Sequence, residues 1–349
     1  MNKLYNLNDL GWNKNLSDDF KKYEDSFIVG RICAEYKNMY KIYSEYGEIF
    51  GTISGKMNFE ALSRSDFPAV GDWVVIDKYL PTADRTIIHK IFPRKSKFSR
   101  KVAGNVIDEQ IIAVNIDTLF ICMSLNNNFN LRRLERYTTM AWESGSTPVI
   151  LLTKSDLCND VENKLYEINA SAIGIDVHVV SSANATGIES VKQYITQGKT
   201  AAFLGSSGVG KSTLINKLIG ENILKTSEIR SEDDKGRHTT THRELFILPS
   251  GGVVIDTPGM REFQILDAEE GIENTFEDIN VLSLNCKFSD CKHDSEPGCA
   301  VIRAIEEGTL SKARFNNYLK LKKEAEFIAR KNSKAAASTY KKELKRHFK

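Results

Sequence analysis

At 349 residues the chain is longer than one ordinary hydrophobic core, so two or three domains are expected. Hydrophobic content of 41% and charged content of 27% fit a folded globular protein, and no apolar run approaches the ~20 residues needed to span a bilayer. The net charge is only +2, but Ser311 to Lys349 holds 13 Lys or Arg against 3 Glu, which suits a polyanionic partner.

Residues 1–25 read as a loosely held polar arm with no apolar signal segment, so a cytoplasmic protein without membrane attachment is expected. From Asp25 to about Lys101, short strand-like runs (SFIVGRICAEY, MYKIYSEYGEIFGTI, DWVVIDKYL, TIIHKIF) are separated by turn residues. Such a run of strands predicts a small β-barrel, with an OB-fold as first choice. The exit, Pro93 to Lys101, is basic around Phe98 and suits either phosphate contact with base stacking or a plain linker.

After Ile111 the pattern changes to alternating strands and helices. Strands are expected over 117–124, 148–152, 177–180 and 200–204. Helices are expected over Leu131–Glu143, Asp160–Ala170, Gly187–Ile195 and Lys211–Ile219. This rhythm predicts a doubly wound, mainly parallel sheet. Beyond Gln264 a polar stretch leads to a Cys/His cluster, then a helical segment from Val301 to about Lys331 and a basic tail. The expected domains are an arm (1–25), an OB-fold (26–108), a nucleotide-binding domain (109–268) and a zinc-binding helical domain with a basic arm (269–349).

Gly205-Ser206-Ser207-Gly208-Val209-Gly210-Lys211-Ser212 matches G-x-x-x-x-G-K-[ST] between a strand and a helix. Its glycines let backbone N–H groups curl around phosphates, and the helix dipole favours anions there. Lys211 is expected to reach the β- and γ-phosphates and Ser212 to ligate Mg²⁺, with Thr213 beside it. Asp256-Thr257-Pro258-Gly259 follows an apolar strand; Asp256 suits the second Mg²⁺ anchor, and Gly259 can approach a γ-phosphate. Thr153-Lys154-Ser155-Asp156 fits the guanine signature [NT]-K-x-D. Asp156 can accept both guanine N1–H and N2–H₂, a donor pair adenine lacks, and a buried carboxylate would then stay unpaired. The Lys154 stem can cover the base. Ser182-Ala183 suits a second base loop whose backbone N–H meets guanine O6. The base motif precedes the phosphate loop, the reverse of the ordinary order, so a circularly permuted GTPase core is expected.

Between the phosphate loop and Asp256 lies Gly236-Arg237-His238-Thr239-Thr240-Thr241. Either Thr240 or Thr241 is expected to complete the Mg²⁺ shell and order this loop when γ-phosphate is present. Met260 stands where many GTPases place a water-orienting Gln, so His238 is the candidate for that task. Cys286, Cys291, His293 and Cys299 form C-x₄-C-x-H-x₅-C, a closed tetrahedral donor set suited to structural Zn²⁺. Cys33, Cys122 and Cys158 sit among apolar neighbours and read as core.

With Asn128-Phe129-Asn130-Leu131-Arg132-Arg133-Leu134-Glu135-Arg136-Tyr137, the Gly-Arg-His-Thr-Thr-Thr loop and the Cys-Cys-His-Cys cluster, the chain from about Asp25 onward closely resembles the RsgA (YjeQ) family of circularly permuted, ribosome-associated GTPases. The resemblance implies an N-terminal OB-fold, a permuted GTPase core and a C-terminal zinc domain. It also implies a role late in small ribosomal subunit maturation, with contacts to rRNA and GTP hydrolysis stimulated by the subunit. A family loop histidine matching His238 has been proposed as catalytic. Thr153 in place of Asn removes a side-chain amide near the base. GTP/GDP, Mg²⁺ and one Zn²⁺ are the expected cofactors, and a monomer is expected. The competing class is a nucleic-acid-binding module that nucleotide merely regulates; an ATP-dependent enzyme is disfavoured by Asp156.

Overall fold

The structure is a computed structural model. It describes residues 4–78, 85–101, 109–126, 128–224, 243–257 and 269–347, with the side chains of Lys101 and of residues 332–347 outside the description. The chain opens with helix α1 (Lys14–Phe20), capped by Asn13, whose side chain accepts from the Leu16 amide. Strands β1 (Phe27–Tyr36), β2 (Met39–Ser44) and β3 (Gly47–Ile53) form an antiparallel meander. After helix α2 (Gly55–Glu60) come β4 (Trp73–Asp77) and β5 (Thr86–Ile91). Hydrogen bonding runs β1-β2-β3-β5-β4 and returns from β4 to β1, closing a five-stranded barrel. Its interior is packed with Ile28, Ile32, Ile42, Ile49, Val74, Ile76 and Ile88, apolar residues on the inward faces of the strands.

The described part of the arm, residues 4–25, is anchored rather than loose. Leu10 is fully buried, and the Trp12 ring packs edge-on against Trp73 at 4.9 Å and Phe92 at 5.5 Å. Apolar residues spaced between the arm's polar ones make this possible. Three of the cations in the basic exit of the barrel are ion-paired. Arg94 is paired with Asp72 at 2.7 Å, Lys95 with Asp117 at 2.8 Å and Lys97 with Glu109 at 2.9 Å. Phe98 is buried in the core, so it cannot stack on an RNA base. This segment forms β6 (Lys97–Lys101), paired antiparallel with β7 (Glu109–Val114), a ladder that straddles the expected domain boundary.

The nucleotide domain contains β8 (Thr118–Ser124), α3 (Leu131–Glu143), β9 (Thr147–Thr153), α4 (Val161–Asn169), β10 (Asp176–Val179), α5 (Ile188–Lys192), β11 (Thr200–Leu204), α6 (Lys211–Ile219), β12 (Glu244–Ile247) and β13 (Val253–Asp256). The sheet order is β10-β9-β8-β11-β13-β12, parallel except for the antiparallel β12–β13 pair. The central strands are mostly apolar, as burial on both faces demands: β8 and β11 expose no residue, and their polar members Thr118, Ser124 and Thr200 stand at strand ends. β12, absent from the sequence reading, meets β1 at Ala34–Glu244 and joins the barrel to this sheet.

The C-terminal part is helical: α7 (Glu269–Thr275), α8 (Glu277–Ser283), α9 (Ala300–Glu306) and α10 (Lys312–His347). The polar stretch after Gln264 hid α7 and α8, and the one expected helix from Val301 is two, broken at Gly308, whose φ of +75° ends α9. The basic tail continues α10. Gly271 is required where α7 crosses α3, since a Cβ there would lie 2.3 Å from the Thr139 carbonyl oxygen.

Arg314 locks this packing. Its guanidinium donates to Asp278 (2.8 and 2.9 Å), Glu135 (2.9 Å) and the carbonyls of Ser171 and Thr275 (both 2.8 Å), with its plane over Phe276. Burial pushes the Glu135 carboxyl up, while Arg314 and Asn317 pull it back down. Removing one partner of a buried pair leaves the other charge uncompensated. Arg314→Ala is therefore expected to lower stability by about 3–5 kcal/mol, read as a lower urea midpoint. A wild-type midpoint would show that the pair does not hold the helices in place.

Candidate nucleotide site and metal centre

The parallel strands bring their carboxyl ends to one edge, and three motifs meet there. The phosphate loop leaves β11 and turns into α6. Gly208 and Gly210 adopt φ of +76° and +101°, which a side chain would strain. Val209 between them is buried and pins the loop to the core. Lys211 begins α6 and folds back, its Nζ donating to the carbonyls of Gly205 at 2.7 Å and Ser206 at 3.0 Å. Two of its three protons are thus committed to fixing its position. Burial lowers its pKa, opposed by the attraction of Cys122 and Asp256. Ser212 is half-buried and Thr213 is exposed on the same turn.

Asp256 ends β13, adjacent to β11, and is buried with Thr257, whose hydroxyl donates to the Phe203 carbonyl. The donor set of Ser212 and Asp256, one hydroxyl and one carboxylate on neighbouring elements, is the hard-oxygen chemistry that suits Mg²⁺. His238, Thr240, Thr241 and Gly259 lie outside the described residues, as does Met260.

Thr153 ends β9. Its hydroxyl donates to the Val209 carbonyl at 2.6 Å, tying the base motif to the phosphate loop across 56 residues of chain. The amide lost by having Thr here is thus replaced, at the loop, by a hydroxyl. Lys154 takes left-handed geometry (φ +58°) and turns the chain into a short 3-10 segment, Ser155–Leu157. Asp156 sits there and is exposed. Its Oδ1 accepts from the Ser181 hydroxyl.

Ser181 is the residue the sequence reading missed in the second base loop. It is buried, and its hydroxyl also accepts from the Asn184 amide at 3.1 Å. Ser182 and Ala183 follow on the surface of this turn. The doublet Ser181-Ser182 carried the signal, but spacing alone could not choose between its members. Asn128, absent from the candidates, reaches the phosphate loop from the other side: its Nδ2 donates to Ser206 Oγ at 2.8 Å.

The ligand atoms of Cys286, Cys291, His293 and Cys299 all lie within 4.8 Å of one another. Cys299 caps α9, its Sγ accepting from the Ile302 amide, and His293 is presented by a left-handed turn at φ +58°. Glu296 braces the loop by accepting from the amides of Lys292 and Asp294, both at 2.9 Å. Burial holds the His293 imidazole below its ordinary range, favouring the neutral form that ligates metal. Three sulfurs and one nitrogen converging, with no fifth donor in the cluster among the described residues, fit a closed Zn²⁺ site.

The family model for RsgA GTPases matches residues 91–266. Small ribosomal subunit biogenesis GTPase RsgA 2 of Lactiplantibacillus plantarum is 49% identical over 305 residues, covering 87% of this chain and 85% of that protein. RsgA 1 of Oceanobacillus iheyensis is 45% identical over 321 residues, 91% of each. Among solved structures, YjeQ from Thermotoga maritima superposes with a TM-score of 0.64 at 25% identity, covering 86% of this chain and 98% of that one. YloQ, described as a circularly permuted GTPase, superposes with a TM-score of 0.59 at 26% identity, over 86% and 95%.

Thr153→Val keeps the shape but leaves the Val209 carbonyl without that donor, at an expected cost of about 1–3 kcal/mol. Thr153→Ser keeps the hydroxyl and most of the stability. Equal denaturation midpoints for the two variants would remove this hydrogen bond from the argument.

Proposed function

This chain belongs to the RsgA GTPase family, and we propose that it binds the small ribosomal subunit, assists its late maturation and hydrolyses GTP to GDP and phosphate with stimulation by the subunit. The observation that carries the reading is the convergence of Lys211, Asp256 and the Thr153–Asp156 turn at one edge of a parallel sheet, joined by the Thr153–Val209 hydrogen bond.

In this reading the amides from Gly205 to Thr213 cradle the phosphates, with the α6 N-terminus adding positive potential. Lys211, already aligned by two loop carbonyls, supplies its remaining proton and its charge to the β- and γ-phosphates. Its burial removes competing water and strengthens that contact. Asp156 accepts N1–H and N2–H₂ of guanine, oriented by the Ser181 hydroxyl. The Lys154 stem covers the base, and the amides of Ser182 and Ala183 are the donors for O6. Ser212 and Asp256 hold Mg²⁺, which offsets phosphate charge when bound. Thr240 or Thr241 completes that shell, Gly259 approaches the γ-phosphate, and His238 orients the attacking water. Cys286, Cys291, His293 and Cys299 hold one structural Zn²⁺.

The domains divide as arm 1–25, OB-fold 26–108, GTPase 109–268 and zinc-binding 269–349. The barrel and the α10 arm face rRNA, with salt-dependent affinity. No described helix is long and apolar enough to cross a membrane. A cytoplasmic monomer fits this role.

GTP turnover measured with and without small ribosomal subunits tests the reading. Addition of subunits is expected to raise the rate, and Lys211→Ala to cut the stimulated rate by roughly 10²-fold or more. Unchanged turnover on adding subunits, or in the variant, would overturn it. Metal analysis of purified protein is expected to give one zinc per chain, and chelation to lower the melting temperature of the helical part. Folded, chelator-resistant protein with no zinc would refute the metal assignment.

A further inference from the structure

The segment between β8 and α3 makes a chain of contacts that ends on the phosphate loop. Asn126 Oδ1 accepts from the Ser124 hydroxyl at 2.8 Å and from the Asn128 amide at 3.1 Å, closing a small turn. Arg133, in the first turn of α3, donates from Nη1 to Asn128 Oδ1 at 2.7 Å and from Nη2 to the Asn128 carbonyl at 3.2 Å. The guanidinium is a donor only, so the oxygen of the Asn128 amide must face it. The Nδ2 of Asn128 is therefore the group left to face Ser206 Oγ. The orientation of this amide follows from chemistry, not from a choice between look-alike atoms.

Ser206 matters because its carbonyl is one of the two that hold Lys211. Asn128 grips the Ser206 side chain while Lys211 grips its backbone. The post to which Asn128 is tied is itself rigid. α3 is capped by Asn130 and fixed on its flanks by Glu135 to Arg314 and by Arg136, which donates twice to Glu324 at 2.7 Å.

We propose that Asn128, held by Arg133, is a positioning residue for the phosphate loop: it fixes Ser206, and through Ser206 the Lys211 ammonium, in the conformation that retains guanine nucleotide. The proposal rests on the nucleotide reading given above. Neither residue belongs to the phosphate-loop or guanine signatures. Both act through another residue, so their effect should appear in nucleotide retention with little change in melting temperature.

The test is release of fluorescent GDP from full-length protein by stopped flow, for Asn128→Ala, Ser206→Ala and their double variant, with a second cycle pairing Arg133→Met with Ser206→Ala. Each single change is expected to speed GDP release about threefold to tenfold, the range set by one lost neutral hydrogen bond. The double variants are expected to be no faster than the faster single. Coupling of Arg133 to Ser206, which it reaches only by way of Asn128, distinguishes the relay from a plain structural role. Multiplicative effects in both cycles, or wild-type release in the singles, would overturn the proposal while leaving the GTPase reading intact. Failure of the unaltered protein to bind GDP would instead overturn the GTPase reading and this one with it. If Asn128→Ala does not fold, the Arg133 and Ser206 cycle decides alone.

Discussion

The constraint on which the site depends is the parallel alignment of β9, β8, β11 and β13. Because these neighbours run the same way, their carboxyl ends share one edge of the sheet, where α/β proteins place ligands. Thr153 ends one strand, the phosphate loop leaves another, and Asp256 ends a third. None of this depends on the order in which the strands are joined. The Thr153 hydroxyl on the Val209 carbonyl closes the gap between base motif and phosphate loop in space. Permuting the chain therefore leaves the chemistry untouched and changes only where additional domains attach.

Buried guanidinium groups make two of those attachments. Arg314 joins the C-terminal helices to α3 and to the end of α4. Arg31, on β1, joins the barrel to the arm and to the sheet, donating to the carbonyls of Leu10 in the arm, of Gly71 in the barrel and, at 3.5 Å, of Asn115 after β7. Burial pushes its pKa down to about 10, partly offset by Asp117 and Asp72, so it stays charged near neutrality. Desolvating an ion costs several kcal/mol, and a well-packed apolar group often does as well for stability. What an arginine adds is direction: donors in a fixed plane that accept only one arrangement of partners. Both joints thus specify a pose more than they deepen the energy well.

Much of this was legible in the sequence, for identifiable reasons. The ends of α3 follow from Asn130, which caps it, and from the Leu131–Glu143 periodicity. The phosphate loop, the base motif and the Cys/His cluster are local patterns whose chemistry is set by spacing. The parts that were not legible depend on contacts distant in sequence. Phe98 in a basic run reads as an RNA-stacking residue until its partner strand β7 buries it. Arg94, Lys95 and Lys97 read as free cations until Asp72, Asp117 and Glu109 are brought beside them. The left-handed turn at Lys154, which leads into the segment carrying Asp156, is backbone geometry that a signature does not encode.

The joints differ in their contacts, and the difference has a direction. The C-terminal helices are held by buried charge and by the close approach of Gly271 to α3, the same helix whose first turn carries Arg133. Two of the contacts that hold the barrel differ in kind. One is firm: the Val70–Gly71 turn, where Val114 N donates to the Val70 carbonyl at 3.1 Å and Asn115 Nδ2 to the Gly71 carbonyl at 3.0 Å. The other has looser polar contacts. At β12 these are the single Ala34–Glu244 register, a 3.4 Å contact from Tyr43 Oη to the Leu245 carbonyl, and ion pairs of 3.8 Å from Lys41 and Arg243, beside buried Cys33, Tyr43 and Leu245 of one apolar cluster. Partly exposed pairs at that distance contribute well under 1 kcal/mol each. Since β12 pairs with β13 through to Asp256, the joint with the looser polar contacts is the one in line with the phosphate end of the site.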